Sequence, residues 1–348
     1  MIDNVSKIRV KTSSEYDVLI GKQLIHYTGE ILTNIISQCK VAIVTDDVVD
    51  NLYSAVVESS LKRSGYKVYK FVFKNGEESK NICTYGDILS FLAENTFTRT
   101  DCVLALGGGV VGDMAGFASA TFLRGIKYVQ VPTTLLSQID SSVGGKTAID
   151  LPSGKNLVGA FYQPSLVICD VDALVTLPDS VFDDGMGEAI KYAILDKDIF
   201  DLFAFDGGNL DKLIYLCIDY KRKIVESDER ESGDRKLLNL GHTIAHGIEK
   251  LSSYKIPHGR AVAIGLLVVA KACLNKAYVD EQTFDKIQKL LTENLGECDL
   301  PFDIKQVLEC ALSDKKRSGN DISLVTIHGV GDCRIEKIPV GDLMEFFS

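Results

Sequence analysis

The spacing of apolar residues changes character about halfway along the chain. In the first half, short apolar runs alternate with stretches of helical periodicity. Residues 7–20 (KIRVKTSSEYDVLI) predict a hairpin. After it the pattern predicts helix 22–37, strand 41–45, helix 48–63, strand 67–73, helix 80–95, strand 101–106, helix 110–122 and strand 127–131. LVICD (166–170) predicts the last strand of this half. Strands alternating with helices imply a parallel sheet covered on both faces. From about Leu177 the rhythm becomes helical, through 185–195, 209–226, 236–251, 260–277 and 281–295, with little strand signal before ISLVTI (322–327). An α/β half followed by a mainly α-helical half is therefore expected. The boundary falls near 171–178, around Pro178, with a cleft between the halves.

Composition narrows the chemistry. A chain of 348 residues has room for two domains or one large one. A net charge of −10 argues against general affinity for nucleic acid or for an anionic membrane surface. Any anionic ligand must then be held by a local cluster of cations. Nine cysteines, an odd number with no C-x-x-C pair, suit reduced thiols in the cytoplasm better than a disulfide framework or a zinc ribbon. Neither a charged-then-apolar leader nor a run of 18 apolar residues occurs, so neither secretion nor membrane spanning is indicated.

Three patches carry candidate chemistry. Gly107, Gly109 and Gly112 satisfy G-x-G-x-x-G directly after the apolar run CVLAL and before a helical stretch. In that setting glycines let backbone N–H groups approach a pyrophosphate at the positive end of a helix. The same spacing also fits a tight βα turn that holds nothing. The customary acid about 20 residues on is missing, because no negative charge lies between Met114 and Ile139. GGKT (144–147) mimics the end of a P-loop, but Asp140 stands where the first glycine belongs, which argues against a P-loop NTPase. The second patch is histidine-rich: His242, His246 and His258 are three of the chain's five histidines. His242 and His246 are i, i+4 on a predicted helix, and spacing alone favours them as a metal-ligand pair. His258 opens the next helix, where an antiparallel return could bring it back to His242. Glu188, with Lys191 one turn on, is a candidate carboxylate for a zinc site with one open position. The third patch is the set of cations beside glycines or small residues, where Lys146 (GGK) and Lys155 (SGKN) are expected at loop ends. A scattered lysine is ordinarily a solvated one, and Lys315–Lys316 reads equally well as a charged surface turn.

Together these stretches resemble the 3-dehydroquinate synthase family of sugar-phosphate cyclases. GGGVVGD, RGIKYVQVPTTLLSQIDSSVGGKT, GKN, GEAIKY, DERESGDRKLLNLGHT and PHG occur in order, and the likeness runs from TDDVVDNLY (45–53) to DKKRSG (314–319). The resemblance implies a Rossmann-like NAD-binding α/β domain at 1–176 and a helical metal- and substrate-binding domain at 177–348, with the active site in the cleft between them. It implies a cytoplasmic lyase that converts 3-deoxy-D-arabino-heptulosonate 7-phosphate to 3-dehydroquinate and phosphate, with NAD and Zn2+ or Co2+ as cofactors.

Carried over motif by motif, the metal ligands implied are Glu188, His242 and His258. His246 passes from metal to substrate phosphate, against the reading from spacing. NAD contacts implied are Asp46, Asn75, Gly76, Glu77, Glu78, Ser79, Lys80, Gly109, Val110, Val111, Gly112, Asp113, Thr133, Thr134, Lys146, Lys155, Ala173, Leu174, Val175 and Thr176. Asp140, Lys146, Lys191, Asn239 and His246 are implied in catalysis. Arg124, Asn156, Lys221, Arg235, Lys315 and Lys316 are implied in substrate binding, with Arg124 reaching phosphate across a homodimer interface. Asp46, at the end of the earlier strand, takes the ribose role of the missing acid. The substrate's two anionic ends give the cations a purpose: Arg235 and Lys221 suit its carboxylate. Three departures stand out: Asp150 where asparagine is common, Arg260 where glutamate is usual, and Ala245 and Gly247 exchanged. The rivals are a cyclase acting on a sugar phosphate without a carboxylate, and a zinc polyol dehydrogenase of the glycerol dehydrogenase type.

Overall fold

Three apolar runs, VAIV (41–44), VLAL (103–106) and LVIC (166–169), are buried along their whole length in the computed structural model, which describes residues 5–205, 209–313 and 320–348. Unbroken burial is what central strands of a parallel sheet require, because helices cover both faces. Side chains alternate between the two covers: Ile43, Leu104 and Leu106 enter one core, while Ala42, Val44, Val103 and Ala105 enter the other. The chain forms two compact units, Met1–Leu177 and Pro178–Ser348.

In the first unit β1 (Ser6–Val10) and β2 (Tyr16–Gly21) form the expected hairpin. There follow α1 (Thr28–Thr33), β3 (Lys40–Asp46), α2 (Asp47–Val49), a π-helical turn and α3 (Ala55–Arg63). Next come β4 (Lys67–Phe73), α4 (Ile82–Glu94), β5 (Cys102–Gly107), α5 (Gly109–Thr121) and β6 (Lys127–Pro132). β7 (Lys146–Leu151), β8 (Gly154–Phe161) and β9 (Leu166–Asp170) complete the unit. The main sheet runs β1-β2-β9-β6-β5-β3-β4, all parallel except the β1–β2 pair. β4 and β5 lie on opposite sides of β3, so the winding reverses between β3 and β5, the position where open α/β sheets leave a crevice at their carboxyl edge.

Two expectations need correction here. The helix expected over 22–37 is a 3-10 turn, Leu24–Tyr27, followed by the short α1, which Asn34 ends by turning its side-chain amide back onto the carbonyls of Glu30 and Ile31. Lys146 and Lys155, expected at loop ends, fall at the first and second residues of two strands that the sequence did not predict. They occupy an antiparallel ribbon, β7–β8, whose glycines and lysines mask its alternation.

The second unit holds α6 (Asp179–Leu195), α7 (Lys197–Phe205), α8 (Leu210–Ser227), α9 (His242–Leu251), α10 (His258–Asn275), α11 (Glu281–Leu295) and α12 (Ile304–Ser313). A hairpin of β10 (Asp321–Gly329) and β11 (Asp332–Pro339) and the short α13 (Leu343–Phe346) close it. α10 packs against α6, α9, α11 and β10. Its apolar length would suffice to cross a membrane, but it is the core helix of this unit and 61% of it is buried there. The helix expected over 236–251 is split in two. A 3-10 turn, Asp234–Asn239, ends at Leu240 in extended backbone, and Gly241 takes the left-handed conformation (φ 78°), so α9 begins at His242.

A candidate metal centre and a nucleotide cradle

The metal-site geometry begins with a close crossing of α6 and α10. A Cβ on Gly259 would overlap the carbonyl of Asp184, and one on Gly187 would overlap the carbonyl of Gly259. Only glycine lets the two backbones come this near. Asp184 strengthens the crossing, since its Oδ1 accepts the Gly259 N–H at 2.5 Å in the first turn of α10. The neighbouring side chains, Glu188 and His258, are thereby set against each other.

Glu188 is fully buried. Its Oε1 lies 3.1 Å from His258 Nε2 and 3.3 Å from His242 Nε2, and its Oε2 pairs with the buried Lys191 ammonium one turn on. The ligand atoms of Glu188, His242 and His258 lie within 4.8 Å of one another. Each imidazole is anchored through its other nitrogen: His242 Nδ1 lies 3.1 Å from Leu240 O, and His258 Nδ1 lies 3.2 Å from Glu249 Oε1. Two outward-anchored imidazoles and a carboxylate, all converging, match the N, N, O donor set of a catalytic zinc site and the support such ligands receive from behind. Burial works to raise the Glu188 pKa, but Lys191 and the two histidines hold it well below the usual carboxylate range. Burial likewise opposes charge on His258, yet hydrogen bonds to Glu188 and Glu249 raise it to about 10. Protons on the imidazoles thus balance the buried carboxylate, the charge that a bound cation would supply in their place. His246 stands outside this triad. It is exposed, with its ring 5.6 Å from that of His242. The donors that converge are therefore not the i, i+4 pair favoured by spacing, because the broken helix puts His242 at the first turn of α9 and the return of α10 supplies His258.

Buried cations form the second feature of this unit. Lys191, Lys221 and Arg235 expose 1%, 6% and 1% of their surface, and lysine and arginine are almost never so buried without anionic partners. Arg235 sits in the 3-10 turn after a loop organised by Asp228. The Asp228 carboxylate accepts the N–H groups of Ser232, Gly233 and Arg235, and the Arg235 guanidinium donates to the carbonyl of Glu229. Burial would raise the Asp228 pKa, but these donors hold it down to about 2. Asn239 Nδ2 donates to Glu231 Oε1 at 2.6 Å. Glu231 was not singled out from sequence, although its left-handed backbone (φ 60°) presents it within the same loop. Lys315 and Lys316 lie outside the described residues.

In the first unit the candidate cofactor residues gather at one edge of the sheet. Asp46 ends β3, the 75–80 segment follows β4, Gly109–Asp113 follow β5, Thr133–Thr134 follow β6, and Ala173–Thr176 follow β9. α5 starts at Gly109 with no side-chain cap, which leaves its first N–H groups without a side-chain acceptor from the cap. The buried Thr133 hydroxyl has no hydrogen-bond partner. An uncapped helix start beside an orphaned hydroxyl suits a dinucleotide phosphate. Asp46 spends Oδ1 on the N–H groups of Val48 and Val49, capping α2. Lys80 is buried and donates to Asp113 Oδ2 (2.6 Å) and Asn156 Oδ1 (2.5 Å). Burial opposes its charge, yet Asp113 and Glu77 hold its pKa above the ordinary lysine value. Lys155 reaches Glu77 at 3.4 Å. Val175, by contrast, is 84% exposed. Asp140 lies in a π-helical turn, Ser137–Ser141, and Lys146 opens β7 exposed. Arg124 is exposed on a turn where Leu123, Arg124 and Gly125 all have positive φ.

The departures from the family pattern have local causes. Asp150 accepts the N–H of the left-handed Asn156 and donates its own N–H to the Lys80 carbonyl, tying ribbon to cradle. Arg260 donates to the Leu295 carbonyl at 2.6 Å and to that of Glu297, covering the C-terminal end of α11. Gly247 lets α9 meet α12, since a Cβ there would overlap the Val307 carbonyl, and Ala245 is fully buried.

Two family models match consecutive parts of the chain: "3-dehydroquinate synthase N-terminal" over residues 70–184 and "3-dehydroquinate synthase C-terminal" over residues 185–317. The 3-dehydroquinate synthase of Clostridium acetobutylicum is 43% identical over 338 residues, covering 93% of this chain and 94% of that one. Among solved structures, 2-deoxy-scyllo-inosose synthase, complexed with carbaglucose-6-phosphate, NAD+ and Co2+, superposes with a TM-score of 0.85 at 23% identity over 98% of this chain and 99% of that one. The 2-epi-5-epi-valiolone synthase of Streptomyces hygroscopicus, with NAD+ and Zn2+ bound, reaches 0.86 at 23% identity over 98% of each chain. At that distance the structural likeness speaks for the fold.

Proposed function

The chain belongs to the 3-dehydroquinate synthase family, and from that premise we propose that it converts 3-deoxy-D-arabino-heptulosonate 7-phosphate to 3-dehydroquinate and phosphate. The observation that carries the reading is the convergence of Glu188, His242 and His258 beside the buried Lys191. In this reading the triad holds a Zn2+ or Co2+ ion, and the carboxyl edge of the main sheet holds NAD. Bound there, NAD would supply a reversible hydride acceptor for the C5 alcohol, and the metal would supply a Lewis acid that lowers that alcohol's pKa.

The chain's own residues bind and orient. Arg235 and Lys221, nearly removed from water, take the substrate carboxylate, where a guanidinium fork gives two parallel hydrogen bonds. His246 and Lys146, both exposed, contact phosphate and the reacting sugar in this reading, with Asp140, Asn156, Asn239 and Lys191 completing the contacts. Glu231 fixes the Asn239 amide, and so sets which way its donor points. Lys80, Lys155 and Glu77 hold the cofactor loop by ion pairs and hydrogen bonds already formed. Loss of phosphate, ring opening and aldol closure then proceed on a substrate held at both ends, so the protein contributes chiefly position and charge. A homodimer in which Arg124 reaches the partner's phosphate belongs to this reading and is supported by the outward, strained turn that carries it. The reading also assigns 1–176 to NAD, 177–348 to metal and substrate, and the enzyme to the cytoplasm.

The test mixes purified protein, zinc, the heptulosonate phosphate and NAD well below the substrate concentration. Phosphate should be released many times over per NAD with no net NADH. Stoichiometric NADH would refute the reading in favour of a dehydrogenase, and no phosphate release would refute it outright.

A further inference from the structure

α9 carries two functional groups on one stripe. His242 is its first residue and Glu249 lies seven residues on, two turns along the same face. Glu249 is 5% exposed, on a helix face where a carboxylate needs a partner to be tolerated. Its Oε1 lies 3.2 Å from Nδ1 of His258, the nitrogen turned away from Glu188.

The main chain of Glu249 does a second task. α9 ends in a Schellman turn, in which Tyr254 N–H bonds the Glu249 carbonyl at 2.7 Å and Ser253 N–H bonds the Lys250 carbonyl at 3.1 Å. Such turns normally place glycine at the left-handed position. Here two consecutive side-chain-bearing residues, Ser253 (φ 52°) and Tyr254 (φ 60°), are left-handed. The Ser252 hydroxyl also donates to the Glu249 carbonyl and accepts the Ile256 N–H. Pro257 follows, and His258 starts α10. Glu249 is thus bonded through its carbonyl to the turn that delivers His258 and through its carboxylate to the ring itself.

We infer that Glu249 is a positioning residue for the metal centre, orienting the His258 ring so that Nε2 faces the ion and making that nitrogen a better donor. The inference rests on the metal reading of Glu188, His242 and His258. A carboxylate behind a ligand histidine fixes its tautomer and orientation and raises its basicity, and loss of such a partner weakens metal binding by about 10- to 100-fold. Glu249 cannot be counted as a ligand itself, since the converging donors are those of the other three residues.

The competing account is that Glu249 only staples α9 to α10. The two accounts separate by measuring metal affinity apart from stability. Zinc dissociation constants are determined by competition with a chelator for wild type, E249Q and E249A, alongside metal-free melting temperatures and the visible absorption of the Co2+ forms. E249A should bind zinc about 10- to 100-fold more weakly and shift the cobalt spectrum. E249Q keeps an acceptor for Nδ1–H without its charge, so it should recover part of the affinity. A staple alone would lower the metal-free melting temperature of E249A and leave its zinc constant and cobalt spectrum at wild-type values, and that result overturns the inference. If E249A does not fold, E249Q decides: an unchanged zinc constant overturns the inference, and a weakened one supports it. Failure of the wild-type protein to bind stoichiometric zinc would instead sink the metal reading beneath it.

Discussion

Asp228 shows how a single carboxylate can shape a binding loop without touching a ligand. It accepts three backbone N–H groups and the Ser232 hydroxyl, and so fixes the stretch between α8 and Arg235. Because its folded pKa, about 2, lies below the ordinary value, its stabilising contribution is fully present above about pH 4 and is lost as the pH falls through 2. D228N keeps one acceptor but loses the charge. It should therefore unfold more readily than wild type at pH 7, and the gap should close between about pH 4 and pH 2, followed by thermal melts across that range. At neutral pH the same variant should raise KM for the heptulosonate phosphate more than it lowers kcat, since the loop presents Arg235. A gap that persists at pH 2 would show that the charge is not what organises the loop.

At the scale of elements, the decisive contact is the crossing of α6 and α10 at Gly187 and Gly259. Gly259→Ala forces a methyl into the Asp184 carbonyl, and the helices must separate. Overpacking of this kind costs about 1–3 kcal/mol, and the upper end is expected because the obstacle is backbone. Denaturant unfolding should register that loss, and zinc affinity should fall with it, since Glu188 and His258 sit one residue from each glycine; an unaltered midpoint would contradict the close approach. Neither the crossing nor the triad could be read from periodicity. The central strands were legible because two-sided burial writes an unbroken apolar run, as in VAIV and LVIC. β7–β8 was not, since GGKTAIDL and GKNLVGAF interrupt their apolar positions with glycine, lysine and other polar residues. The start of α9 was hidden because LLNLGHTIAH keeps helical spacing straight through the break that Gly241 imposes. Glu249 carried no signal at all, for its partner lies across a turn that the sequence does not mark with glycine. Motif resemblance reached further, because it carries the outcome of such packing without having to derive it.

Over the whole molecule, the two candidate sites draw on different units: the triad lies within Pro178–Ser348 and the glycine cradle within Met1–Leu177. Ligands that bind only the folded state stabilise what they bind, by about 2.7 kcal/mol at a hundred times the dissociation constant. For units of this size that corresponds to a rise in melting temperature of roughly 5–10 °C. Zinc and NAD should each produce such a rise in the intact protein. In H258A the zinc rise should vanish, together with bound metal and turnover, because two of three donors cannot hold the ion at the same strength. The NAD rise should survive, because no cradle residue belongs to the helical unit. Calorimetry of wild type and H258A with each ligand, alone and together, checks both halves of the claim. Retention of zinc stabilisation in H258A would remove His258 from the ligand set. Loss of the NAD effect along with it would mean that the cradle depends on the metal unit for its shape, and that the division of labour between the two units is wrong.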